Sequence, residues 1–361
     1  MAVESLVIRS AAPIRVCDLG GWTDTWFAQY GCVLNLAVEP CVEVAIEVDP
    51  AAGEPRLTIH AENFGPPYVR DRGKTTWDRH PLIEAALESL PLSLGTAHVA
   101  VNIYSGAPPG ASVASSSAAV VGVLAALEAL RGAASIHRDE LAAAAHRLET
   151  DRLGQQCGVQ DPICAAHGGA CFIEIDRYPH AQVTPLPLAD ALRWELETRL
   201  ALVYLGKSHT SWTMHERVIQ NLADRGPEAP PLQALRRAAR DGREALLRAD
   251  LTAFGAAMQA NTAAQATLHP DLVGVDAQRV IAIARAHGAI GWKVNGAGGD
   301  GGSLTLLGGP SAAAHRAMLQ AIAAEDAAFR VIPIRFSAEG VRVWLCDSGI
   351  AHLANGRLPS A

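Results

Sequence analysis

The sequence has no excess of positive charge: 30 Lys and Arg stand against 37 Asp and Glu, a formal net charge of -7. Affinity for phosphate polymers depends on clustered cations, so nucleic acid is not an expected partner. There is no CxxC pair, and 7 cysteines are an odd number that disulfides within one chain cannot use up. A reduced, cytoplasmic chain is expected. Cys157, Cys164 and Cys171 recur at intervals of seven, but without accompanying ligands they read as small buried side chains and not as a metal site. No stretch reaches about 18 apolar residues without a charge, so no membrane span is expected. The opening MAVESLVIRSAAPIR has too short an apolar run for a secretory leader. What remains is a chain of 361 residues, 49% hydrophobic and 19% charged, able to bury one large core or two of ordinary size.

The first third predicts strands at Val3–Arg9, Ile14–Leu19, Cys32–Val38, Val42–Val48, Arg56–His60 and His98–Tyr104, all β-branched and separated by Gly, Pro or Asp. Helices are expected at Ser115–Leu130 and Arg138–Leu153, then a strand at Gly169–Ile175. Past Thr184-Pro185-Leu186-Pro187 a second unit is expected, giving domains 1–190 and 191–361. It opens with a strand at Leu196–Leu205. Helices at Ser211–Leu222, Leu232–Ala249, Leu251–Ala266, Ala277–His287 and Ala312–Ala324 follow, with strands at Arg330–Phe336 and Val341–Leu345. Strands and helices mixed without strict alternation indicate an α+β fold. The tail Gly349–Ala361 lacks apolar periodicity and is expected to fray.

Four segments carry chemistry. Gly106 to Ala118, with Pro109, Gly110, Ala111, Ser112, Val113, Ala114, Ser115, Ser116 and Ser117, joins a strand to a long helix. Unpaired first-turn amides and the helix dipole favour phosphate there, and a serine-capped helix after a Pro-Gly turn is the plainer alternative. There is no GxxxxGK[ST], so it is not a Walker loop. Gly296 to Gly302 holds five glycines in seven residues, more than a hairpin requires. Either a ligand or another backbone approaches it closely, or it is a flexible loop. In Arg15 to Asp24 a cation-bearing strand runs into Gly20-Gly21-Trp22-Thr23-Asp24. An acid beside an aromatic suits a sugar, and a capped turn with a core tryptophan is the alternative. Glu149 and Asp161 are carboxylates twelve residues apart, and Asp161 lies in a stretch otherwise without charge, where a carboxylate needs a reason to be present. Trp77 fits either an adenine contact or the core. His209, Thr210, Ser211 and His215 fit either a sugar site or local caps.

In order and spacing these segments resemble the GHMP kinase superfamily from Ala12 to Leu307. Gly-Gly-Trp-Thr-Asp is most similar to its sugar kinase branch, the fucokinase, arabinokinase, glucuronokinase and heptose-phosphate kinase types. The resemblance implies a two-domain fold, with an N-terminal ribosomal protein S5-like domain and a C-terminal ferredoxin-like one. It implies an ATP- and magnesium-dependent kinase whose acceptor is a sugar or sugar phosphate, phosphorylated at the anomeric hydroxyl, in a monomer or homodimer. Asp161 would take the proton and Arg15 would stabilise the attacking oxygen. Asp24, with Gly21, Trp22 and Thr23, would bind the sugar. Residues Pro109 to Ser117 would wrap the ATP phosphates, Gly296, Ala297, Gly298 and Gly299 would form the second glycine loop, and Ser116 and Glu149 would hold magnesium. The alternatives are a GHMP kinase for a mevalonate- or homoserine-like alcohol and a catalytically silent sugar-binding regulator. The chain departs from the family pattern at Ser112 and Ala114, where glycine is usual, and at Asp300, which would face away or bind a cation.

Overall fold

A computed structural model describes residues 6–50, 55–71, 73–90, 96–133, 135–207, 211–222, 225–347 and 350–351. The predicted strands Val3–Arg9 and Ile14–Leu19 are a single strand, β1 (Leu6–Leu19). The break expected at Pro13 survives as a register shift against β2 (Gly31–Asp49), because proline offers no N–H to the ladder. After β3 (Arg56–Ala61) and β4 (Tyr68–Arg70), β5 (His98–Ser105) pairs antiparallel with Val42–Asp49 of β2 and parallel with β3. β6 (Ala170–Arg177) takes the other half of β2, and β7 (His180–Leu186) pairs with β6.

Helices α1 (Pro81–Leu87), α2 (Ser115–Leu130), α3 (Arg138–Arg147) and α4 (Gln160–His167) form a layer in which α2 and α4 rest on β1 and β2. α2 carries no charge before Glu128, as befits a helix buried on several sides. The predicted helix Arg138–Leu153 is α-helical only to Arg147; Leu148–Arg152 widens into a π turn.

The predicted strand Leu196–Leu205 is half helix. In α5 (Asp190–Arg199) Leu192 and Leu196 are the buried residues, four apart, and helical spacing prevails until β8 (Leu200–Tyr204). β9 (Gly291–Val294), β10 (Ser303–Leu307) and β11 (Arg330–Ile332) complete a second antiparallel sheet in the order β11-β8-β10-β9. Between β8 and β9 the chain forms α6 (Ser211–Leu222), α7 (Pro230–Leu247), α8 (Leu251–Leu268) and α9 (Val275–Ala286), and α10 (Ala312–Glu325) follows β10. α9 and α10 cover the second sheet through Val280, Ala284, Met318 and Ile322. α7 packs on β1 and β2, and α8 on β9, so this helix pair joins the two sheets.

The last strands do not stay with the second sheet. The predicted strand Arg330–Phe336 divides at Pro333 into β11 and β12 (Arg335–Phe336), and β12 pairs with β2. β13 (Arg342–Asp347) pairs with β1, and β14 (Ile350–Ala351) follows on β13. Apart from Ile350–Ala351, the tail expected to fray lies outside the described residues.

One buried cation ties α7 to the turn that precedes β2. Arg236, fully buried, donates to the carbonyls of Ala28, Tyr30 and Pro227 at 2.7–3.2 Å and lies over the Tyr30 ring. Its removal strands one buried and two half-buried carbonyls, so Arg236→Ala is expected to destabilise the protein by about 3 kcal/mol, as read from denaturant unfolding.

Candidate active site

A cleft of about 480 Å³ opens where the first-sheet layer meets the glycine loop between β9 and β10. Arg15, Trp22, Asp24, Pro109 to Ser117, Glu149, Asp161, Gly296 and Ala297 all line it, so residues far apart in sequence share one wall. The loop before α2 is held open by a left-handed backbone at Gly110, Ser112 and Ala114, with φ of 73°, 59° and 63°. The serine-capped helix is not what forms. Ala114 sits at the cap position with no side-chain hydrogen bond, and Ser115, Ser116 and Ser117 lie inside the first turn. First-turn amides without a side-chain cap are a donor set for an anion. Three bonds hold the loop in place: Arg15 N–H to the Val113 carbonyl at 3.1 Å, Arg15 Nη1 to the Ser112 carbonyl at 2.7 Å, and Ser303 Oγ to the Ala111 carbonyl at 2.5 Å.

Arg15 is 4% exposed and joins this loop to Asp161. Its Nε donates to Asp161 Oδ1 at 2.9 Å and its Nη2 to Oδ2 at 3.4 Å, a bidentate pair that fixes the carboxylate's plane. Burial disfavours the guanidinium's charge, yet Asp161 and Asp18 outweigh it and hold the group above its ordinary pKa. Asp161 lies in the first turn of α4, where the helix dipole favours an anion.

Asp24, 1% exposed, reaches the start of α4 from the opposite side. Its Oδ2 accepts from the Gln160 amide at 3.1 Å, making it a remote cap for the helix that bears Asp161. Burial, with Asp161 nearby, pushes its carboxyl up to about 6 against the opposing Gln160 bond. Gly158 makes this approach possible, since a Cβ there would stand 1.9 Å from Asp24 Oδ2. Two members of the expected sugar signature do not face the cleft. The Thr23 hydroxyl is taken up by the turn itself, donating to the Gly20 and Cys32 carbonyls at 2.7 and 3.1 Å and accepting from Cys32 N–H. Gly21 gives room instead, for a Cβ there would meet Asp18 and Gln160 at 2.9 and 3.2 Å. Trp22 is both lining and core, packed beside Phe27.

Glu149 projects from the π turn, a distortion common at functional positions. Its Oε1 accepts from Ser117 Oγ at 2.7 Å, so the serine that meets Glu149 is Ser117; Ser116, the expected partner, is exposed one position earlier on the cleft wall. Burial raises the Glu149 carboxyl above its usual range, and the Ser117 bond partly opposes this. Among the described residues no cluster of three or more His, Cys, Asp or Glu forms a ready metal cage.

Of the glycine loop, Gly296 and Ala297 face the cleft, whereas Gly298 and Gly299 pack against Leu272 and Val273. Gly296, at φ 59°, leaves little space for a side chain, with the Ser112 carbonyl 3.1 Å and Arg15 Nη2 3.3 Å from a Cβ position. Asp300 faces away, paired with Lys207 at 3.2 Å. Trp77 is off the cleft, its indole bonded to Glu88 at 2.7 Å. His209 and Thr210 lie outside the described residues, as do the side chains of Ser211 and His215.

An annex of about 250 Å³ adjoins the phosphate-type loop, lined by Val42, Leu82, Ile103, Pro109 and Ala119. Sequence reasoning missed Asp18, Gln155, Gln160 and Lys293. Asp18 is 1% exposed, and its carboxylate accepts from Lys293 Nζ at 3.1 Å and the Gly296 amide at 3.0 Å. The available signal was an acid near the end of β1 and a lysine within the short strand β9, each a charge that burial would oblige to find a partner.

Residues 81–169 match the GHMP kinases N terminal domain. The chain is 26% identical over 347 residues to the D-glycero-alpha-D-manno-heptose 7-phosphate kinase of Campylobacter jejuni subsp. jejuni serotype O:2, covering 93% of this chain and 98% of that one. It is 28% identical over 237 residues to the mevalonate kinase of Pyrococcus horikoshii, covering 63% and 64%. The fold matches the crystal structure of a D-glycero-D-manno-heptose 1-phosphate kinase from Bacteriodes thetaiotaomicron with a TM-score of 0.72 at 21% identity, covering 94% of this chain and 100% of that one.

Ala114 occupies a conformation that costs an L-residue about 1–2 kcal/mol. Ala114→Gly is expected to be neutral or stabilising by up to about 1 kcal/mol, part of the gain being offset by a freer unfolded chain. Ala118→Gly, the same exchange inside α2, is expected to cost at least about 1 kcal/mol, and chemical denaturation of the two variants checks the contrast.

Proposed function

We propose that this chain, which carries a GHMP kinase N-terminal domain within that family's fold, transfers the γ-phosphate of ATP to the anomeric hydroxyl of a sugar or sugar phosphate. The reading is carried by the Arg15–Asp161 pair, set between the uncapped loop before α2 and the buried Asp24. A phosphoryl donor and a hydroxyl acceptor brought to opposite sides of that pair need little covalent chemistry from the protein. They need alignment, charge neutralisation and a proton acceptor. The heptose-phosphate kinase likeness over nearly the whole chain supports a sugar acceptor.

In this mechanism the amides of Gly110 to Ser117 and the positive end of α2 hold the phosphates. The apolar annex takes the flat base. Asp24 accepts from sugar hydroxyls while Trp22 offers an apolar face. Asp161 removes the acceptor proton, and Arg15 stabilises negative charge on the attacking oxygen. An anomeric hydroxyl is more acidic than an ordinary alcohol, so the proton to be moved is already loosely held.

The donor set suits magnesium. Glu149 is a buried carboxylate beside the phosphate-type loop with one hydroxyl bonded to it, and this ion is commonly held by one or two carboxylates together with substrate phosphates. Glu149 and the exposed Ser116 hydroxyl would hold it, with Ser117 orienting the carboxylate. When bound it neutralises phosphate charge.

A panel of free and phosphorylated sugars with ATP, analysed by phosphorus NMR, tests the reading, and no transfer to any of them would refute it. Asp161→Asn is expected to lower kcat by roughly 10²–10⁴ with ATP affinity by calorimetry retained. Loss of melting temperature and of both ligands together would instead show a structural carboxylate. The Asp24 carboxyl stands near 6 in the folded protein against 3.8 ordinarily, so its ionisation costs stability that is present in full below pH 4 and lost as pH rises through 6. The ionised form is the better hydroxyl acceptor. The sugar KM is therefore expected to fall as pH rises through about 6, and Asp24→Asn to lose that dependence.

A further inference from the structure

Two cations and two carboxylates meet where β1 approaches β9, and one of the cations has no part in the reaction just described. Lys293 on β9 is 1% exposed and is not among the residues lining the cleft. Its Nζ donates to Asp18 Oδ1 at 3.1 Å, to Gln265 Oε1 at 3.2 Å and to the Val294 carbonyl. An ammonium has three N–H donors, and all three are engaged inside the protein. Burial lowers its pKa while Asp18 works the other way. A lysine buried this completely is uncommon unless paired.

Asp18 is the shared partner. Its Oδ1 stands 3.1 Å from Lys293 Nζ and 3.9 Å from Arg15 Nη1, while Oδ2 accepts from the Gly296 amide at 3.0 Å. With Asp18 satisfied by Lys293, Arg15 keeps its distance from it and directs Nη1 to the Ser112 carbonyl and Nε and Nη2 to Asp161. Without the ammonium, Arg15 would be the sole cation of the cluster beside two carboxylates. Asp18 is 1% exposed and Asp161 31%. The less hydrated anion attracts the guanidinium more strongly, and both the Asp161 alignment and the support of the loop before α2 would suffer.

We propose that Lys293 is a positioning residue: by holding Asp18 it leaves Arg15 to Asp161 and to the Ser112 carbonyl. This role rests on the kinase reading above. The same pair registers the two sheets, since Asp18 belongs to β1 while Lys293 precedes the glycine loop that Asp18 also binds.

Steady-state kinetics and melting temperatures of Lys293→Met and of the double variant Lys293→Met with Asp18→Asn test the proposal. The single variant is expected to lose kcat by about 10–100-fold, the scale of a small misalignment, with the KM for ATP little changed. The double variant, in which Arg15 has no rival carboxylate, is expected to recover most of that loss. A folded double variant as slow as the single one overturns the proposal, because Lys293 would then act on the ligand and not through Asp18. Wild-type kcat in the single variant also overturns it. If Lys293→Met does not fold, Lys293→Gln keeps a hydrogen bond to Asp18 without the charge. The same loss of kcat is expected in that variant, and wild-type kcat there is equally fatal. Absence of phosphoryl transfer by the unaltered protein removes the kinase reading and this role together, and is told apart because no variant is needed to see it.

Discussion

A guanidinium kept out of water must have its charge matched on every side, and the cleft is arranged around that requirement at Arg15. Asp161 takes one edge, the Ser112 carbonyl takes another, and Asp18 waits at 3.9 Å, held by a second cation. Asp161 comes from α4 and the Ser112 carbonyl from the loop before α2, while Asp18 shares β1 with Arg15 and brings in Lys293 from β9. The ion therefore acts as the common reference for segments that no local interaction would bring together. Arginine is well suited to this, because its planar fork donates in fixed directions and it does not shed its proton when buried.

The backbone around this charge is strained in places, and the strain lies where chemistry is expected. Ser112 and Ala114 adopt left-handed conformations without glycine's freedom, and the turn carrying Glu149 is wound wider than an α-helix. Such conformations persist because the surroundings over-determine them. The Ser112 carbonyl is fixed by Arg15, the Ala111 carbonyl by Ser303, and Glu149 by Ser117. A loop already fixed by internal bonds has less freedom to lose when an anion binds, so more of the interaction is available for alignment.

Much of this was legible in the sequence where the signal was local. The long alanine- and valine-rich run read directly as α2, and the runs of Gly and small residues marked both loops that meet in the cleft. The signals that failed depended on geometry finer than composition. Ser116 and Ser117 are indistinguishable by type, but one helical step of about 100° sends one toward Glu149 and the other to the surface. The π turn carries no residue that announces it. Leu196 suits a strand as well as a helix, and only its partner Leu192 decides between them. Thr23 is expected at the sugar because it stands in the Gly-Gly-Trp-Thr-Asp signature, yet the turn it closes consumes its hydroxyl. Asp18 and Lys293 lie 275 residues apart, and nothing in either strand names the other.

The pairing of β13 with β1 has a consequence for the order of events during synthesis. β1 leaves the ribosome long before β13, and β2 can pair with it soon afterward. Its other edge is completed only by Arg342–Asp347, roughly 330 residues later. Until then the nascent chain presents an open β edge beside the segment that carries Arg15, and open edges invite pairing with other chains. The strand that carries Arg15 is thus exposed to mispairing until Arg342–Asp347 has been made, and a holdase able to cover that edge would protect the protein most during this interval.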